Sequence, residues 1–326
     1  MIEFLPIISF AIALAVDLRF GDLPNRFHPV VAMGHWISCT RRLGGISPNN
    51  SIRFFVGAVS LVAGSLILVV IGWSIDWFSR ELPLFVAVCI QAAVFKCTFS
   101  VRSLAAAANA VASALHSNDL SMARKQLAYH LVSRDTSQLD ESAVAAAAVE
   151  SVAENTSDSF IAPLFYFAIA GLPGALMYRY INICDAMLGY RTPELEWLGK
   201  PAARTDDLLN LIPGRLTAIL MLVVGPSQRV VSDNKYAIRD AVAIWWRDHR
   251  LTASPNAGHC MSAAAGILGV MLEKHDHYRL GEGQPLPSVS TIHAMNSLLY
   301  KTAIAGSLLA VGWMISTVML SEGSQS

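Results

Sequence analysis

Apolar residues arrive in long blocks along this chain, with charges gathered between them. The clearest block is Ile52–Trp73, whose one charge, Arg53, sits at its edge. Its length suits the hydrocarbon core of a bilayer, about 30 Å. Similar blocks run over Leu82–Phe99, with Lys96 near the end, and over Thr302–Leu320. Residues 2–16 are shorter, and Leu208–Val224 carries Pro213 and Arg215. These five blocks predict an all-α, polytopic membrane protein with spans near 2–16, 52–73, 82–99, 208–224 and 302–320. The apolar stretch 160–178 contains Pro163 and then Gly171-Leu172-Pro173-Gly174. Proline and glycine at mid-length predict a re-entrant or broken helix there, in place of a straight span. Residues 100–153 are Ala-rich and too polar to span. They predict helices beside the membrane, broken at Asn118-Asp119. A single membrane-embedded domain is expected over 1–320, followed by a disordered tail over 321–326.

Composition agrees. Hydrophobic residues make up 54% and charged residues 15% of the chain, against about 25% charged in soluble domains. Mean hydropathy is +0.46, modest for a bundle of spans alone, so a substantial polar portion is expected. The net charge is zero, which gives no long-range attraction to nucleic acid. The five cysteines form no C-x-x-C pair and read as buried apolar residues. The 40–53 loop carries Arg41, Arg42 and Arg53 with no acid. By the positive-inside tendency it is cytoplasmic, so the N-terminus is expected outside.

Because charge is scarce, its clusters matter. Asp17, Asp22, Arg26 and His28 follow the first apolar block in a Gly/Pro-shaped loop. Carboxylates can hold Mg²⁺, and Arg and His can hold phosphate. Next, Glu150, Glu154 and Asp158 form an acidic stripe at helical spacing, directly before an apolar segment. Like charges at that spacing repel unless a cation or basic group lies between them. The densest cluster carries Arg179, Asn182 and Asp185 at spacing three, then Arg191, Arg204, Asp206, Asp207 and Arg215. Arginines beside carboxylates suit a nucleotide or phosphate with Mg²⁺. Finally, Ser254-Pro-Asn-Ala-Gly258 opens an apolar helix whose N–H groups can bind an anion. The plain alternatives are an interfacial loop, a solvated helix face, an internal ion-pair network and an ordinary helix start. No P-loop, dinucleotide fingerprint or H-E-x-x-H is present.

Six segments together resemble the CobD/CbiB family, the adenosylcobinamide-phosphate synthases of cobalamin biosynthesis. They are DLRFGDLPNRFHPVVAMG (17–34), SRDTSQL (133–139), VESVAENTSDSFIAPLFY (149–166), PGALMYRYINICDAMLGYR (173–191), LGKPAARTDDLLNLIPGRLTA (198–218) and SPNAG (254–258). They keep the family's order over most of the chain.

The resemblance implies a ligase of the cell (inner) membrane with its active site facing the cytoplasm. Its reaction would join the carboxylate of adenosylcobyric acid to aminopropanol or its O-phosphate by ATP-dependent amide formation. It implies ATP and Mg²⁺ as co-substrate and activating metal, a corrinoid substrate, a lipid bilayer environment and no nucleic acid. It also admits assembly with other cobalamin-pathway enzymes. The catalytic candidates are His28, Glu154, Asp158 and Asp185. The substrate- and phosphate-binding candidates are Arg26, Arg134, Asn155, Arg179, Asn182, Arg191, Arg204, Arg215 and Asn256. The metal candidates are Asp17, Asp22, Glu154, Asp206 and Asp207. A transporter or binding protein for a corrinoid or other anionic ligand is the alternative. Against it stand the lack of an inverted repeat and the concentration of charge in long loops.

Overall fold

The computed structural model describes residues 2–22, 28–225, 237–275 and 277–323. Most of them are helical: α1 (Leu5–Phe20), α2 (Pro29–Ile46), α3 (Asn50–Ser79), α4 (Leu84–Lys96), α5 (Arg102–His116), α6 (Leu120–His130), α7 (Glu141–Thr156), α8 (Ala162–Leu188), α9 (Glu196–Leu209), α10 (Leu211–Val224), α11 (Ala237–Asp248), α12 (Ala257–Leu268) and α13 (Val289–Gly323). A π-helical turn, Ser157–Ile161, joins α7 to α8. The antiparallel pair β1 (Leu272–Lys274) and β2 (Tyr278–Leu280) is short. The all-α membrane architecture expected from the apolar blocks is present.

Among the described residues, three helical stretches are long and apolar enough to cross a bilayer: Asn50–Ser79, the run Glu141–Leu188 and Val289–Leu320; α9 and α10 qualify only as a pair. The expected spans at 52–73 and 302–320 lie inside α3 and α13. The other expected spans come out shorter. Helix α4 has 13 residues and α1 has 16. At 1.5 Å per residue these reach roughly 20–24 Å, less than a full hydrocarbon core. The block 208–224 is split at Asn210 between α9 and α10, with Pro213 tolerated in the first turn of α10. The expected tail at 321–326 needs correction. Nothing from Leu320 to Glu322 breaks a helix, and α13 continues to Gly323; residues 324–326 lie outside the described residues.

The single domain expected over 1–320 is partitioned into two compact units. The first comprises 1–100, 162–209 and 309–326; the second comprises 101–161 and 210–308.

In the first unit α3 is the organising element. Gly57, Gly64 and Gly72 recur on one of its faces at spacings of seven and eight. A Cβ at 64 would overlap the Tyr180 ring, one at 57 the Leu198 carbonyl, and one at 72 would lie 2.6 Å from the Pro173 nitrogen. Close backbone approach through small residues replaces the hydrophobic effect as the packing device inside a membrane. Leu61, Leu176, Tyr180, Ile183, Leu188 and Leu198 fill the seam. Polar links tie it: Tyr180 donates to the Ser60 carbonyl at 3.0 Å, and Trp36 donates to Ser60 Oγ at 2.9 Å.

Helix α8 is broken as expected. Gly171 takes φ 62°, ψ −152°, outside helical geometry. Beyond it the chain folds back: the Tyr166 and Tyr178 rings stack with centroids 5.2 Å apart. In a straight helix residues twelve apart lie about 18 Å from one another. Asp76, from the end of α3, accepts the backbone N–H of Leu172 where the second limb begins.

In the second unit, α7 is buried along most of its length from Val144. It packs against α5, α6, α12 and β1. Its start is fixed by Asp140, which accepts the Ala143 N–H at 2.8 Å. The predicted break at Asn118-Asp119 is present too: Asn118 has φ 57° and Asp119 caps α6 by accepting the Met122 N–H.

Candidate functional site

Polar side chains of the first unit gather where α1, α2, α4, α8 and α9 end or approach one another. Lys96 closes α4. Its Nζ lies 3.0 Å from Asp17 Oδ1 and 2.9 Å from Asp22 Oδ1, and it also donates to the Phe99 carbonyl at 3.2 Å. Asp17 is fully buried and Lys96 nearly so. Ser100 Oγ donates to the other Asp22 oxygen at 2.9 Å. His28 caps α2, its Nδ1 accepting the Val30 N–H at 3.2 Å. That bond places the neutral ring's proton on Nε2. Burial holds the His28 pKa below the ordinary histidine value; Asp22 opposes the shift, while Arg179 and Lys96 reinforce it. Arg179 Nη1 donates to Asn182 Oδ1 at 3.3 Å, and Asn182 Nδ2 donates to Asp206 Oδ1 at 3.3 Å. Asp17, Asp22, Lys96, His28, Arg179, Asn182 and Asp206 thus form one run of neighbouring polar groups. Asp185 sits one turn beyond Asn182 on α8. A Cβ at Gly189 would overlap Asp185 Oδ1, so glycine there leaves the carboxylate its space. Asp207 is half-buried beside Asp206, whereas Arg191 and Arg204 are exposed.

The second unit holds the acidic stripe. Glu150 is 5% exposed; its carboxylate faces Arg134 Nη2 at 3.5 Å and the Tyr278 hydroxyl. Glu154 and Asn155 follow on α7, half-buried. Asn155 donates to the Ser151 carbonyl at 2.9 Å and accepts from Ser159 Oγ at 3.2 Å. Asp158 lies in the π-helical turn, a feature concentrated at functional sites. Arg215 on α10 donates to Asn256 Oδ1 at 3.3 Å, linking it to the turn before α12. In that turn the Ser254 hydroxyl accepts the Asn256 and Ala257 N–H groups at 3.2 and 3.3 Å. There it occupies donors expected to meet an anion. His259, on α12, stacks on His249 with centroids 4.5 Å apart and accepts from Trp245 Nε1.

Residues 10–318 match the profile of the CobD/CbiB protein family. The chain belongs to the CobD/CbiB family. Relatives called cobalamin biosynthesis protein CobD agree with that membership. The one from Dehalococcoides mccartyi is 43% identical, the match covering 85% of this chain and 87% of the relative. The one from Stutzerimonas stutzeri is 37% identical, covering 87% and 90%. A probable cobalamin biosynthesis protein CobD from Methanothermobacter thermautotrophicus is 36% identical, covering 92% and 97%. No solved structure matches the chain.

Within this CobD/CbiB chain the candidates divide between the units. His28, Asp17, Asp22, Arg179, Asn182, Asp185, Arg191, Arg204, Asp206 and Asp207 belong to the first; Arg134, Glu154, Asn155, Asp158, Arg215 and Asn256 belong to the second. Arg26 lies outside the described residues. Among the described residues no group of three or more His, Cys, Asp or Glu side chains is arranged to hold a metal ion. Asp17 and Asp22 in particular share the Lys96 ammonium. Sequence reading had passed over Lys96 as the end of an apolar block. Its signal was there, since a lysine closing an apolar segment needs a buried partner.

Proposed function

We propose that the chain is a membrane enzyme of cobalamin biosynthesis. It joins the propionate carboxylate of adenosylcobyric acid to aminopropanol or its O-phosphate, with ATP driving amide formation. The observation that carries this reading is the polar run from Lys96 through His28 and Arg179 to Asp206, built where apolar helices end. It offers the Arg179 guanidinium for a phosphate group, beside carboxylates.

A carboxylate and an ammonium do not condense usefully in water. In the proposed reaction a carboxylate oxygen takes the γ-phosphoryl group of ATP and ADP leaves. The amine nitrogen then attacks the acyl carbon, the C–N bond forms, the C–O bond to phosphate breaks, and inorganic phosphate departs. Arg179 offsets the charge on the transferring group. Arg191 and Arg204 are exposed cations for the phosphates as they enter. The nucleotide enters as its magnesium complex, which needs only one or two protein carboxylates; Asp206 and Asp207 are of that kind. Asp17 and Asp22, held by Lys96, fit a cation poorly. The amine must also lose a proton to a base before it attacks. Asp185 orients the reacting groups.

The test is amide formation by the detergent-solubilised chain supplied with MgATP, adenosylcobyric acid and aminopropanol phosphate, followed by mass. Expected is a product that requires ATP and is lost in Asp185→Ala. A folded protein that binds the corrinoid and forms no amide would overturn the reading.

A further inference from the structure

Helix α11, in the second unit, has one side locked in place and the other bare. Its inner side packs on α12 and β2. Ala241 and Ile244 are buried there. A Cβ at Gly266 of α12 would stand 2.7 Å from the Ala241 Cα, so the two backbones meet closely. Trp245 Nε1 donates to His259 Nδ1 at 3.2 Å. Asp248 is buried, and its Oδ2 accepts the Gly281 N–H at 2.7 Å. Contacts at 241, 244, 245 and 248 follow helical spacing, so they fix which residues turn outward.

The outward residues form two rows. Ile238, Val242 and Trp246 make the first, all exposed, with Trp246 at 72%. Left in water, this row forgoes the stabilisation of burying three large side chains. Arg239, Arg247 and Arg250 are exposed beside it. No carboxylate of the helix shares that surface: Asp248 is inside and Asp240 is half-buried. Arg247 is engaged, donating to both Asp248 oxygens and facing the charge of Glu282. Arg239 and Arg250 have no ion-pair partner among the described residues. The bare side of α11 is therefore an apolar row flanked by two uncommitted cations.

Aliphatic residues and tryptophan beside arginine suit a helix lying in the plane of a membrane interface. The apolar row enters the acyl-chain boundary, and the long arginine side chains reach up to the phosphates. A second bare row in the same unit favours a bilayer over a protein partner. Helix α10 exposes Ile212, Ile219 and Val223 at spacings of seven and four, and it also packs on α12.

We infer that α11 lies flat in the bilayer interface and that Arg239 and Arg250 hold the headgroups of anionic phospholipids. Eleven residues separate the two arginines, ~16 Å along a helix, so each takes its own headgroup. Guanidinium groups grip phosphate in a bidentate manner. Net negative charge on the lipid adds roughly fivefold in affinity per arginine.

The experiment uses the full chain with the exposed Cys39 and Cys89 changed to serine. An environment-sensitive fluorophore is attached at Val242→Cys. In vesicles of phosphatidylcholine with phosphatidylglycerol, lipid spin labels just below the headgroups are expected to quench the probe. Labels at the chain ends and aqueous iodide are expected to quench it little. In detergent micelles, titration with phosphatidylglycerol gives an affinity from the probe's emission. Arg239→Gln with Arg250→Gln is expected to weaken that affinity at least about tenfold and to leave phosphatidylcholine unaffected. Both arginines are exposed, so this variant should unfold at the wild-type temperature, which separates lost lipid binding from lost fold. Iodide quenching without lipid quenching would place α11 in water. Quenching by neither, with a doubled mass in light scattering, would make a second copy of the chain the cover. Either result overturns the inference, as does an unchanged phosphatidylglycerol affinity in the double variant.

Discussion

The rings of Tyr166 and Tyr178 stack 5.2 Å apart, 14° from parallel, although twelve residues separate them. The chain reverses between them at Gly171. Two features demand glycine there. Its φ of 62° with ψ −152° lies in a region essentially reserved for glycine. A Cβ would also stand 2.7 Å from Asp76 Oδ2, the carboxylate that caps the returning limb. Gly171→Ala is therefore expected to cost about 1–3 kcal/mol. Thermal unfolding in detergent measures this, and a midpoint equal to wild type would contradict it. Ala at Gly312, which has no heavy atom in the way of a Cβ, is the matched control.

The Lys96–Asp17 pair makes a second prediction. With side chains 3% and 0% exposed, neither charge can turn to water when its partner is removed. Breaking a buried pair from one side costs roughly 3–5 kcal/mol, whereas replacing both partners with neutral groups is often tolerated. Lys96→Met alone should lower the folded yield and the unfolding midpoint sharply. Lys96→Met with Asp17→Asn and Asp22→Asn should recover most of that loss. A triple variant no more stable than the single one would show that the ion cluster is not what holds the ends of α1 and α4.

The third prediction concerns acid. Burial lowers the His259 pKa to about 4, and Arg215 and His249 add to the effect. The folded state thus prefers the neutral ring, whose Nδ1 accepts from Trp245. Because the folded pKa lies below the unfolded value of 6.5, this contribution is full above pH 6.5. It is lost progressively as the pH falls toward about 4. In His259→Asn the unfolding midpoint should fall less steeply between those pH values than in wild type. Parallel curves for the two proteins would refute the assignment.

Much of this molecule was legible in the order of its residues. Apolar blocks longer than a bilayer is thick have few fates, so α3 and α13 could be read directly. The Gly171–Gly174 punctuation located the break in α8, since proline and a glycine at positive φ have the same local consequence in any fold. Family membership was legible too, because six polar segments keep their order. The partners of the charges were not legible. Asp17 and Asp22 read as metal ligands because a carboxylate's role depends on what faces it, and Lys96 reaches them from 74 or more residues away. The Val30 N–H that His28 Nδ1 accepts is another such neighbour. Glu150 and Lys274, 124 positions apart in the sequence, act on one another electrostatically because α7 packs on β1. Local sequence determined where helices start, stop and break, since those choices are made within a few residues. Tertiary packing decided which charges share a buried environment, since desolvation and pairing depend on neighbours that the chain brings in from far away.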